Sequence, residues 1–458
     1  MHVAIIGAGY VGLTTSACLA ELGHDVTCVD IDSNRVSLLR DGIVPIHEPG
    51  LEELIQTNGA KGRLHFTSDL EAAATAAEIV LLAVGTPKGA GGEADLSQVR
   101  AAARAVAKAM RPDTVIAIKS TVEAGTARLM RELIAEVRGA LDFRVASNPE
   151  FLREGSAVAD FMKPDRIVIG ADDQDAGARL VELYRPLTKR GVPVVLTGTV
   201  NAELIKYAAN AFLALKIGYI NDVADLCEEI GGDITAVSRG IGLDPRIGSS
   251  FLAPGPGYGD SCFPKDTEAF ASIARRYAAP QPLIETLIGR NQERKRRLAA
   301  RILGELEGPP SKARVALFGL AFKADTDDTR ESAALTIAPI LSQNGVAVAT
   351  YDPMARAMMK GVAQHESPYA AAEGADVVAI LTEWPEFAGL DLKRLAQTMR
   401  GKVILDCRNL LDPQRVSKHG LRCVSLGRAQ TPRKATYLHA PPKTGKRAGP
   451  AAAAPNQV

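Results

Sequence analysis

The chain has 458 residues, of which 46% are hydrophobic and 23% are charged, and its formal net charge is +1. A soluble chain of this length is expected to bury a large core and to divide into two or three domains. No apolar run approaches the roughly 20 residues that a membrane-spanning helix needs, and the chain opens on a strand-like segment rather than a charged leader. We therefore expect a cytoplasmic protein with no membrane partner.

The first strong motif lies at the start of the chain. An apolar segment leads into Gly7-x-Gly9-x-x-Gly12, and after an amphipathic stretch a second apolar segment stops at Asp30. This order is typical of a dinucleotide site, in which the glycines allow a tight turn, a close pyrophosphate and a packed helix. Asp30 favours NAD over NADP because it accepts hydrogen bonds from the ribose hydroxyls, a preference that nearby Arg35 softens. The alternative is a glycine turn in some other α/β fold.

Strand and helix patterns then alternate, with strand candidates at 78–87, 113–122 and 143–152. Alternation predicts a parallel sheet whose ligands bind beyond the carboxyl ends of its strands. Thr86, Thr121 and Glu150 fall at those ends. We expect them at a ligand site, although such residues also occur as helix caps.

From about Thr199 the pattern changes to a long helix that ends at Gly231. Lys206 and Asn210 are four residues apart and therefore share one face of this helix. Beside a run of alanines the pair can line a ligand pocket, although considered alone such a pair more often decorates a surface.

A third region starts near Ser311 and repeats the order strand, loop, helix, strand and acidic residue without the glycine motif. Its loop, GLAFKADTDDTRES, offers Lys323 and Arg330 instead of bare backbone. Strand candidates at 376–384 and 402–411 continue this sheet. The first domain would hold NAD, and the other could hold a phosphorylated ligand through Lys323 and Arg408.

The predicted fold class is α/β, with two Rossmann-like doubly wound domains joined by a long central helix and a small helical domain. The expected domains are an NAD-binding domain at 1–198, a central dimerisation domain at 199–300, a second Rossmann-like domain at 301–430 and a tail at 431–458. The tail contains five Lys or Arg and no acids, and we expect it to be disordered. A solvated extension is favoured over a segment that touches nucleic acid or an acidic membrane, and we expect no nucleic-acid partner.

Cys262 stands out among the six cysteines because it lies in a turn-like segment, GDSCFPKD, rather than in an apolar strand or helix. The cysteines form no C-x-x-C pair and the seven histidines no H-E-x-x-H motif. We therefore expect neither disulfides nor a metal site. An accessible thiol in a turn is a candidate nucleophile.

Taken in order, several motifs resemble the UDP-glucose/GDP-mannose dehydrogenase family from residue 1 to about 428: GAGYVG, VGTP, KSTV, NPEFLREG, ELIKYAANAFLALKI, RIGSSFLAPGPGYGDSCFPKD, LFGLAFKADTDDTRES, LTEWPEF and LDCRNLLD. The resemblance implies a four-electron oxidation of a sugar C6 alcohol to a carboxylate, with two NAD molecules used in turn. The Cys262 thiolate would add to the intermediate aldehyde, and the resulting thioester would be hydrolysed. Lys265 beside the thiol would favour its ionised form.

The resemblance also implies roles for single residues. Lys206 and Asn210 would stabilise the oxyanion at C6, and Asp266, with Glu150 and Thr121, would position or activate water. The expected NAD contacts are Gly7, Gly9, Gly12, Asp30, Arg35, Thr86, Thr121, Glu154, Lys265 and Arg330. The expected contacts to the nucleotide sugar are Glu150, Phe151, Leu152, Lys206, Phe251, Leu252, Ala253, Pro254, Gly255, Gly259, Lys323 and Arg408. The resemblance also implies a homodimer or higher oligomer whose interface is formed by the helix from Asn201. Arg246 would reach the substrate across that interface.

One residue departs from the family pattern, which usually has a second glycine where this chain has Asp260. A glycine there suggests a positive φ, which Asp tolerates at some cost. The extra carboxylate would also raise the pKa of the Cys262 thiol and repel a diphosphate.

We expect UDP-glucose as the substrate and UDP-glucuronate as the product. GDP-mannose or a UDP-N-acetylhexosamine is the alternative for the same chemistry. A single-step hydroxyacid dehydrogenase, which has no use for Cys262, and an inactive NAD-binding scaffold are less favoured.

Overall fold

The computed structural model describes residues 1–139 and 142–429. The predicted disordered tail, 431–458, lies outside the described residues. Within them, the first part of the chain forms an eight-stranded sheet of order β3-β2-β1-β4-β5-β6-β7-β8. Its strands are β1 (His2–Ile6), β2 (Asp25–Val29), β3 (Leu64–Thr67), β4 (Ile79–Leu82), β5 (Thr114–Ile118), β6 (Phe143–Ser147), β7 (Ile167–Ala171) and β8 (Val194–Thr197).

Neighbouring strands of this sheet are parallel except for β6 and β7, which are antiparallel. Both faces of the sheet are covered, because successive residues of β1 enter different hydrophobic clusters. Ile5 packs in one cluster, whereas Ala4 and Ile6 pack in the other. Such two-sided burial explains why the strands read as continuous apolar runs rather than as alternating patterns.

A second sheet of six described strands has the order β11-β10-β9-β12-β13-β14 and is parallel throughout. This is the strand order of a doubly wound domain, with a reversal between its first and fourth strands. The strands are β9 (Arg314–Phe318), β10 (Ala347–Tyr351), β11 (Val362–Gln364), β12 (Val377–Ile380), β13 (Val403–Asp406) and β14 (Arg422–Ser425).

Helices pack on both sheets and between them. In chain order they are α1 (Tyr10–Glu21), α2 (Ser33–Arg40), α3 (Leu51–Ala60), α4 (Leu70–Ala76), α5 (Ser97–Ala109), α6 (Thr126–Arg138), α7 (Ala157–Met162), α8 (Gln174–Leu183), α9 (Arg185–Thr188), α10 (Thr199–Ile230), α11 (Ile234–Gly242), α12 (Phe263–Arg276), α13 (Pro282–Gly304), α14 (Ala333–Gln343), α15 (Pro368–Ala372), α16 (Pro385–Ala388), α17 (Leu392–Thr398) and α18 (Pro413–Ser417).

The central element is α10, a helix of 32 residues that packs against α12 and α13. It ends at Gly231, whose φ of +83° is the left-handed conformation that terminates many helices. One set of apolar side chains on α10 is left exposed by the residues that the structure describes. Between 38% and 62% of each of these residues is exposed: Val200, Leu204, Phe212, Tyr219, Leu226 and Ile230.

The predicted fold class is confirmed, and the strand candidates at 78–87, 113–122, 143–152, 376–384 and 402–411 each contain a strand. The strands are shorter than the apolar segments because each segment continues past its strand into a loop at the carboxyl end of the sheet. The short strands β3, β7, β8, β11 and β14 were not predicted. In β8, for example, Val195 and Leu196 are exposed, so this strand lacks the buried apolar residues that are typical of the central strands.

Among the described residues, no helix is both long enough and apolar enough to cross a bilayer.

Candidate active site

The glycine-rich turn joins β1 to α1. Gly7 has a φ of +107° and donates its N–H to Val29 O at 2.7 Å. A Cβ on Gly12 would lie 1.8 Å from Gly7 O, so only glycine allows the helix to approach the turn this closely. A Cβ on Gly9 would meet no protein atom within 4 Å. The backbone at Gly9 therefore faces open space at the start of α1, which has no side-chain cap, and this arrangement fits a pyrophosphate.

Asp30 lies directly after β2 and holds the same turn. Its Oδ2 accepts a hydrogen bond from Ala8 N at 2.8 Å, and Arg35 Nη1 lies 3.3 Å from the same oxygen. The acidic residue and the bare backbone are thus adjacent, as a dinucleotide requires.

Thr86 and Thr121 meet beyond the ends of β4 and β5. Thr86 Oγ1 donates to Thr121 O at 2.9 Å. Neither residue, nor Glu150, is the N-cap of a helix, since the caps of α5, α6 and α7 are Leu96, Gly125 and Ser156. Helix capping therefore does not account for these positions.

A cavity of about 620 Å³ opens between the first sheet, α10 and the loop that precedes α12. It brings together residues from six separate parts of the chain. The predicted site residues that line it are Glu150, Phe151, Leu152, Glu154, Lys206, Asn210, Phe251, Cys262 and Lys323.

Lys206 and Glu150 form a buried ion pair in this cavity. Lys206 Nζ donates to Glu150 Oε1 at 2.9 Å, and the two side chains are only 4% and 5% exposed. Burial acts to raise the pKa of Glu150, yet the Lys206 ammonium and the N–H of Leu152 bring that pKa below its usual value. Burial likewise opposes the charge on Lys206, but Glu150 raises its pKa. Both groups are charged, so the interpretation of Lys206 as surface decoration is wrong.

Asn210 and Asp266 form the second polar pair. Asn210 Nδ2 donates to Asp266 Oδ2 at 2.6 Å, and Lys265 Nζ donates to Asp266 Oδ1 at 2.7 Å. The Asp266 side chain is fully buried. Because α10 presents Lys206 and Asn210 one turn apart, each lies beside a different carboxylate.

Cys262 is the N-cap residue of α12, and its thiol lines the cavity near Lys206. Burial raises the pKa of this thiol above its usual value, the Asp260 carboxylate raises it further, and Lys206 lowers it. The prediction that Asp260 raises the thiol pKa is therefore confirmed. The prediction for Lys265 needs correction, because Lys265 Nζ is bonded to Asp266 and the lysine that favours the thiolate is Lys206.

Asp260 adopts the left-handed conformation that the family's glycine suggested, with a φ of +81°. Its Oδ1 accepts hydrogen bonds from the backbone N–H of Cys262 and, at 2.9 Å, of Phe263. Burial raises the pKa of Asp260 to about 7, although these two N–H groups lower it. The carboxylate thus uses donors at the start of α12 that a glycine would leave free.

The remaining predicted sugar contacts divide between the cavity and its surroundings. The Phe151 ring lies under the Arg166 guanidinium at 3.6 Å. Leu252 and Pro254 are buried, whereas Ala253 is exposed. Gly255 and Gly259 do not line the cavity. A Cβ added to Gly255 would lie 2.9 Å from Arg408 Nη1, and a Cβ added to Gly259 would lie 2.7 Å from Glu331 O.

Three further predicted residues have particular partners. Arg330 Nη2 lies 3.3 Å from Glu154 Oε1 and 2.7 Å from Asp328 Oδ2. Burial, with Asp328 adding to it, raises the pKa of Glu154 to about 8. Arg246 is 87% exposed at its side chain, pairs with Asp244, and does not line the cavity of its own chain.

Sequence reasoning missed five basic residues that line the cavity, namely Lys119, Arg153, Lys163, Arg166 and Lys216. Lys119 had an available signal, since it directly follows the apolar run of β5 and belongs to the KSTV motif. Arg153 and Lys216 also belong to quoted motifs, NPEFLREG and ELIKYAANAFLALKI. Lys163 and Arg166 had no such signal, because their positions depend on how α7 and β7 pack.

A dinucleotide turn, together with a cavity lined by a thiol, a Lys–Glu ion pair and Asn210, fits an NAD-dependent oxidoreductase. Three models of the UDP-glucose/GDP-mannose dehydrogenase family match the chain: its NAD binding domain at residues 1–188, its central domain at 200–293 and its UDP binding domain at 316–413. The chain belongs to this family.

Named relatives agree with this membership. The chain is 48% identical over 435 residues to the UDP-glucose 6-dehydrogenase of Rhizobium meliloti (strain 1021), covering 93% of this chain and 100% of the relative. It is 44% identical over 446 residues to the UDP-glucose 6-dehydrogenase of Pseudomonas aeruginosa, covering 93% of this chain and 98% of that protein.

Among solved structures, a UDP-glucose dehydrogenase from Pyrobaculum islandicum is similar with a TM-score of 0.84 and 38% identity, over 93% of this chain and 96% of that one. A UDP-D-ManNAc dehydrogenase from Pyrococcus horikoshii has a TM-score of 0.85 and 30% identity, over 94% and 100%. The fold is therefore shared by enzymes named for different sugars.

Proposed function

We propose that this protein oxidises the C6 alcohol of UDP-glucose to a carboxylate, giving UDP-glucuronate and using two NAD molecules in turn. The observation that supports this best is the position of Cys262 in the same cavity as the Lys206–Glu150 pair and Asn210. A dehydrogenase that stops at the aldehyde needs no nucleophile, whereas one that continues to the acid needs a group to hold the aldehyde carbon.

In the first stage, Lys206 and Asn210 hold the oxygen at C6. The Lys206 ammonium is fixed by Glu150, and the Asn210 amide is fixed by Asp266, so both donors are oriented before substrate binds. Preorganised donors stabilise negative charge as it forms on the oxygen. The Gly9 turn and Asp30 would hold NAD, which supplies the hydride acceptor for each oxidation.

In the second stage, the Cys262 sulfur bonds to the aldehyde carbon and gives a thiohemiacetal. Loss of a hydride and of the hydroxyl proton then gives a thioester, without breaking the C–S bond. A water molecule adds to the thioester carbon, the C–S bond breaks, and the thiol regains a proton. Asp266, with Glu150 and Thr121, is proposed to position or activate this water, since no histidine among the described residues lines the cavity.

UDP-glucose is proposed as the substrate because the curated relatives that match at 40% to 48% identity are named UDP-glucose 6-dehydrogenases. The alternatives are GDP-mannose and a UDP-N-acetylhexosamine, and the second has support from the fold similarity to the UDP-D-ManNAc dehydrogenase. Comparison of kcat/KM for UDP-glucose, UDP-N-acetylmannosamine and GDP-mannose tests this choice. A preference for either alternative would overturn the substrate while leaving the chemistry intact.

Cys262→Ser tests the chemistry. We expect the variant to bind NAD and UDP-glucose with nearly unchanged affinity and to lose turnover to UDP-glucuronate. Near-normal turnover in Cys262→Ser would instead favour a single-step dehydrogenase. No turnover in the wild-type protein with any nucleotide sugar would favour an NAD-binding scaffold.

We also propose a homodimer or higher oligomer in which α10 forms the interface. The uncovered apolar residues of α10 support this, since contiguous exposed apolar surface usually marks an interface. Arg246, exposed and outside the lining of its own cavity, is proposed to reach the substrate of the partner. Leu226→Glu should give monomers by light scattering, and a wild-type monomer would contradict the proposal.

The cytoplasm is the proposed location. All six cysteines are free thiols in the structure, and a reactive thiol persists in a reducing compartment. Recovery of the native protein in a soluble cytoplasmic fraction is expected, and recovery from outside the cytoplasm would overturn this.

A further inference from the structure

Lys119 is a buried cation that the proposed mechanism does not use. It directly follows β5, is 4% exposed, and lines the same cavity as Glu150, Lys206 and Cys262. A buried lysine is costly to keep charged unless neighbours compensate for the lost hydration. Its presence in the cavity therefore calls for a role.

The hydrogen bonds of Lys119 are directed at the turn that presents Glu150. Its Nζ lies 3.3 Å from both the backbone oxygen and the Oδ1 of Asn148. Asn148 is itself held by the Tyr184 hydroxyl at 2.6 Å and by Val168 O at 2.9 Å. Because Glu150 follows Asn148 by two residues, Lys119 supports the backbone from which the carboxylate projects.

Lys119 also acts on Glu150 by charge. The titratable groups that face it are Glu150 after β6, Lys206 on α10 and, through Asn148, Tyr184 at the end of α8. Burial lowers the pKa of Lys119 to about 8, Glu150 opposes this, and Lys206 adds to it. In turn, Lys119 is one of the groups that lower the pKa of Glu150. Two lysines thus act on the charge of one buried carboxylate.

The two lysines have different freedom to act on substrate. Lys206 donates directly to Glu150, and in the proposed function the same ammonium must also serve the oxygen at C6. When Lys206 is shared with that oxygen, Glu150 loses part of its compensation and would tend to take up a proton. A protonated Glu150 cannot accept a proton from water. Lys119 remains below the turn throughout and keeps a positive charge near the carboxylate.

We propose that Lys119 is a positioning residue that keeps Glu150 oriented and ionised while Lys206 serves the oxygen at C6, so that Lys119 acts mainly on hydrolysis of the Cys262 thioester. This inference rests on the proposed function. Lys206 would then hold the oxygen at C6 while Lys119 keeps Glu150 ionised, two roles that a single lysine beside Glu150 would have to combine.

The test uses Lys119→Met, which keeps the length of the side chain and removes its charge. Mixed with NAD and UDP-glucose, the variant should form its first NADH within about threefold of the wild-type rate, while turnover falls about tenfold or more. Mass spectrometry of acid-quenched protein should show acylated Cys262 accumulating. The acidic limb of the pH profile of turnover should move to higher pH, because loss of a nearby positive charge raises the pKa of Glu150.

Lys295→Met is the matched control, since Lys295 is also a buried lysine but donates to Glu331 O and does not line the cavity. It should lower thermal stability without accumulation of acyl-enzyme or a change in the pH profile. If Lys119→Met does not fold, Lys119→Ala with added ethylamine replaces it. Ethylammonium should restore hydrolysis of the thioester, and ethanol, which is neutral and of similar size, should not.

Failure of the proposed role of Lys119 can be distinguished from failure of the proposed reaction. Wild-type protein that forms two NADH per UDP-glucose, with Lys119→Met hydrolysing the thioester at the wild-type rate, overturns the inference alone. Equal rescue of Lys119→Ala by ethanol and ethylamine also overturns it, because the role would then be one of packing. Wild-type protein that forms no thioester overturns the proposed function and this inference together.

Discussion

Gly7 and Gly319 occupy the same place in the two Rossmann-like sheets, but the residues after each of them differ. Gly7 N donates to Val29 O at 2.7 Å, and Gly319 N donates to the corresponding Tyr351 O at 2.8 Å. The next N–H in each unit then donates to the acidic residue after the second strand, Asp30 in one and Asp352 in the other. Up to this point the two turns have the same hydrogen bonds.

The difference begins at the second glycine. Where the first unit has Gly9 facing open space, the second has Ala321, which is buried and donates to Asp352 Oδ2 at 3.0 Å. The same oxygen also accepts from Trp384 Nε1 at 3.1 Å. Asp352 is therefore fully buried and hydrogen-bonded to protein groups. The Asp30 side chain is 10% exposed and lies beside an open turn.

The two Rossmann-like units show that the same strand topology does not determine which ligand a unit binds. In the second unit the helix begins only at Ala333, and the intervening loop extends toward the segment that contains Cys262. Arg330 O accepts a hydrogen bond from Asp260 N at 3.1 Å. A dinucleotide turn has thus been replaced by a loop that supports the segment containing Cys262.

The largest expected effect comes from exchanging the two acidic residues for asparagine. Asp352→Asn should cost about 3 kcal/mol or more of unfolding free energy, because an amide nitrogen would face several buried N–H donors. Asp30→Asn should cost about 1 kcal/mol and weaken NAD about tenfold. Urea unfolding and calorimetric titration with NAD measure both. Similar losses of stability in the two variants would contradict the contrast between the units.

A second test places a side chain on the open turn. Gly9→Val should weaken NAD at least about 100-fold, because the side chain would occupy the space next to the backbone that a pyrophosphate needs. Since a Cβ at Gly9 meets no protein atom within 4 Å, the melting temperature should change little. The matched control is Ala321→Gly, which should leave NAD affinity unchanged. Unaltered NAD affinity in Gly9→Val would show that the ligand binds elsewhere.

Asp260→Gly tests the contact between the second unit's loop and the cysteine. Removing the carboxylate should lower the pKa of the Cys262 thiol and increase its alkylation by iodoacetamide at pH 7 several-fold. Burial raises the pKa of Asp260 to about 7, so the folded state binds a proton that the unfolded state has released. Asp260 therefore costs stability progressively as the pH rises from about 4 to about 7.

Thermal unfolding checks this sign. The melting temperature of Asp260→Gly, relative to the wild type, should increase as the pH rises through that interval. A difference that stays constant with pH would mean that the carboxylate is ionised at its usual pKa.

The smallest effect is expected for Arg35→Met. Arg35 is 40% exposed at its side chain and pairs with Asp30 over 3.3 Å, and exposed pairs contribute about 0 to 1 kcal/mol. NAD affinity should change no more than about threefold. A larger change, measured by the same titration, would mean that Arg35 contacts the ligand directly.

Features set by local spacing were accessible from the sequence. The Gly9 turn and the position of Asp30 after its strand follow from short motifs, and the structure has both. The positive φ at residue 260 followed from the resemblance to the family, which usually has a glycine there, and the structure has it too. The shared face of Lys206 and Asn210 follows from helical periodicity. These predictions need only a few neighbouring residues.

Features set by tertiary packing were not accessible. Lys206 and Glu150 are 56 residues apart in the chain, and only the packing of α10 against the first sheet shows that they pair. The same holds for Lys119, whose partner Asn148 lies on the neighbouring strand's loop. We predicted that Lys265 lowers the pKa of the Cys262 thiol because Lys265 is close to Cys262 in the sequence. In the structure the lysine that lowers this pKa is Lys206.

The most direct test of the central claim is the number of NADH molecules formed per UDP-glucose. Purified protein is mixed with excess NAD and a limiting, known amount of the sugar, and NADH is counted by absorbance at completion. We predict two NADH per sugar, falling to little or none in Cys262→Ser. One NADH per sugar, or a Cys262→Ser variant that still forms two, would contradict the thioester route and the role of Cys262.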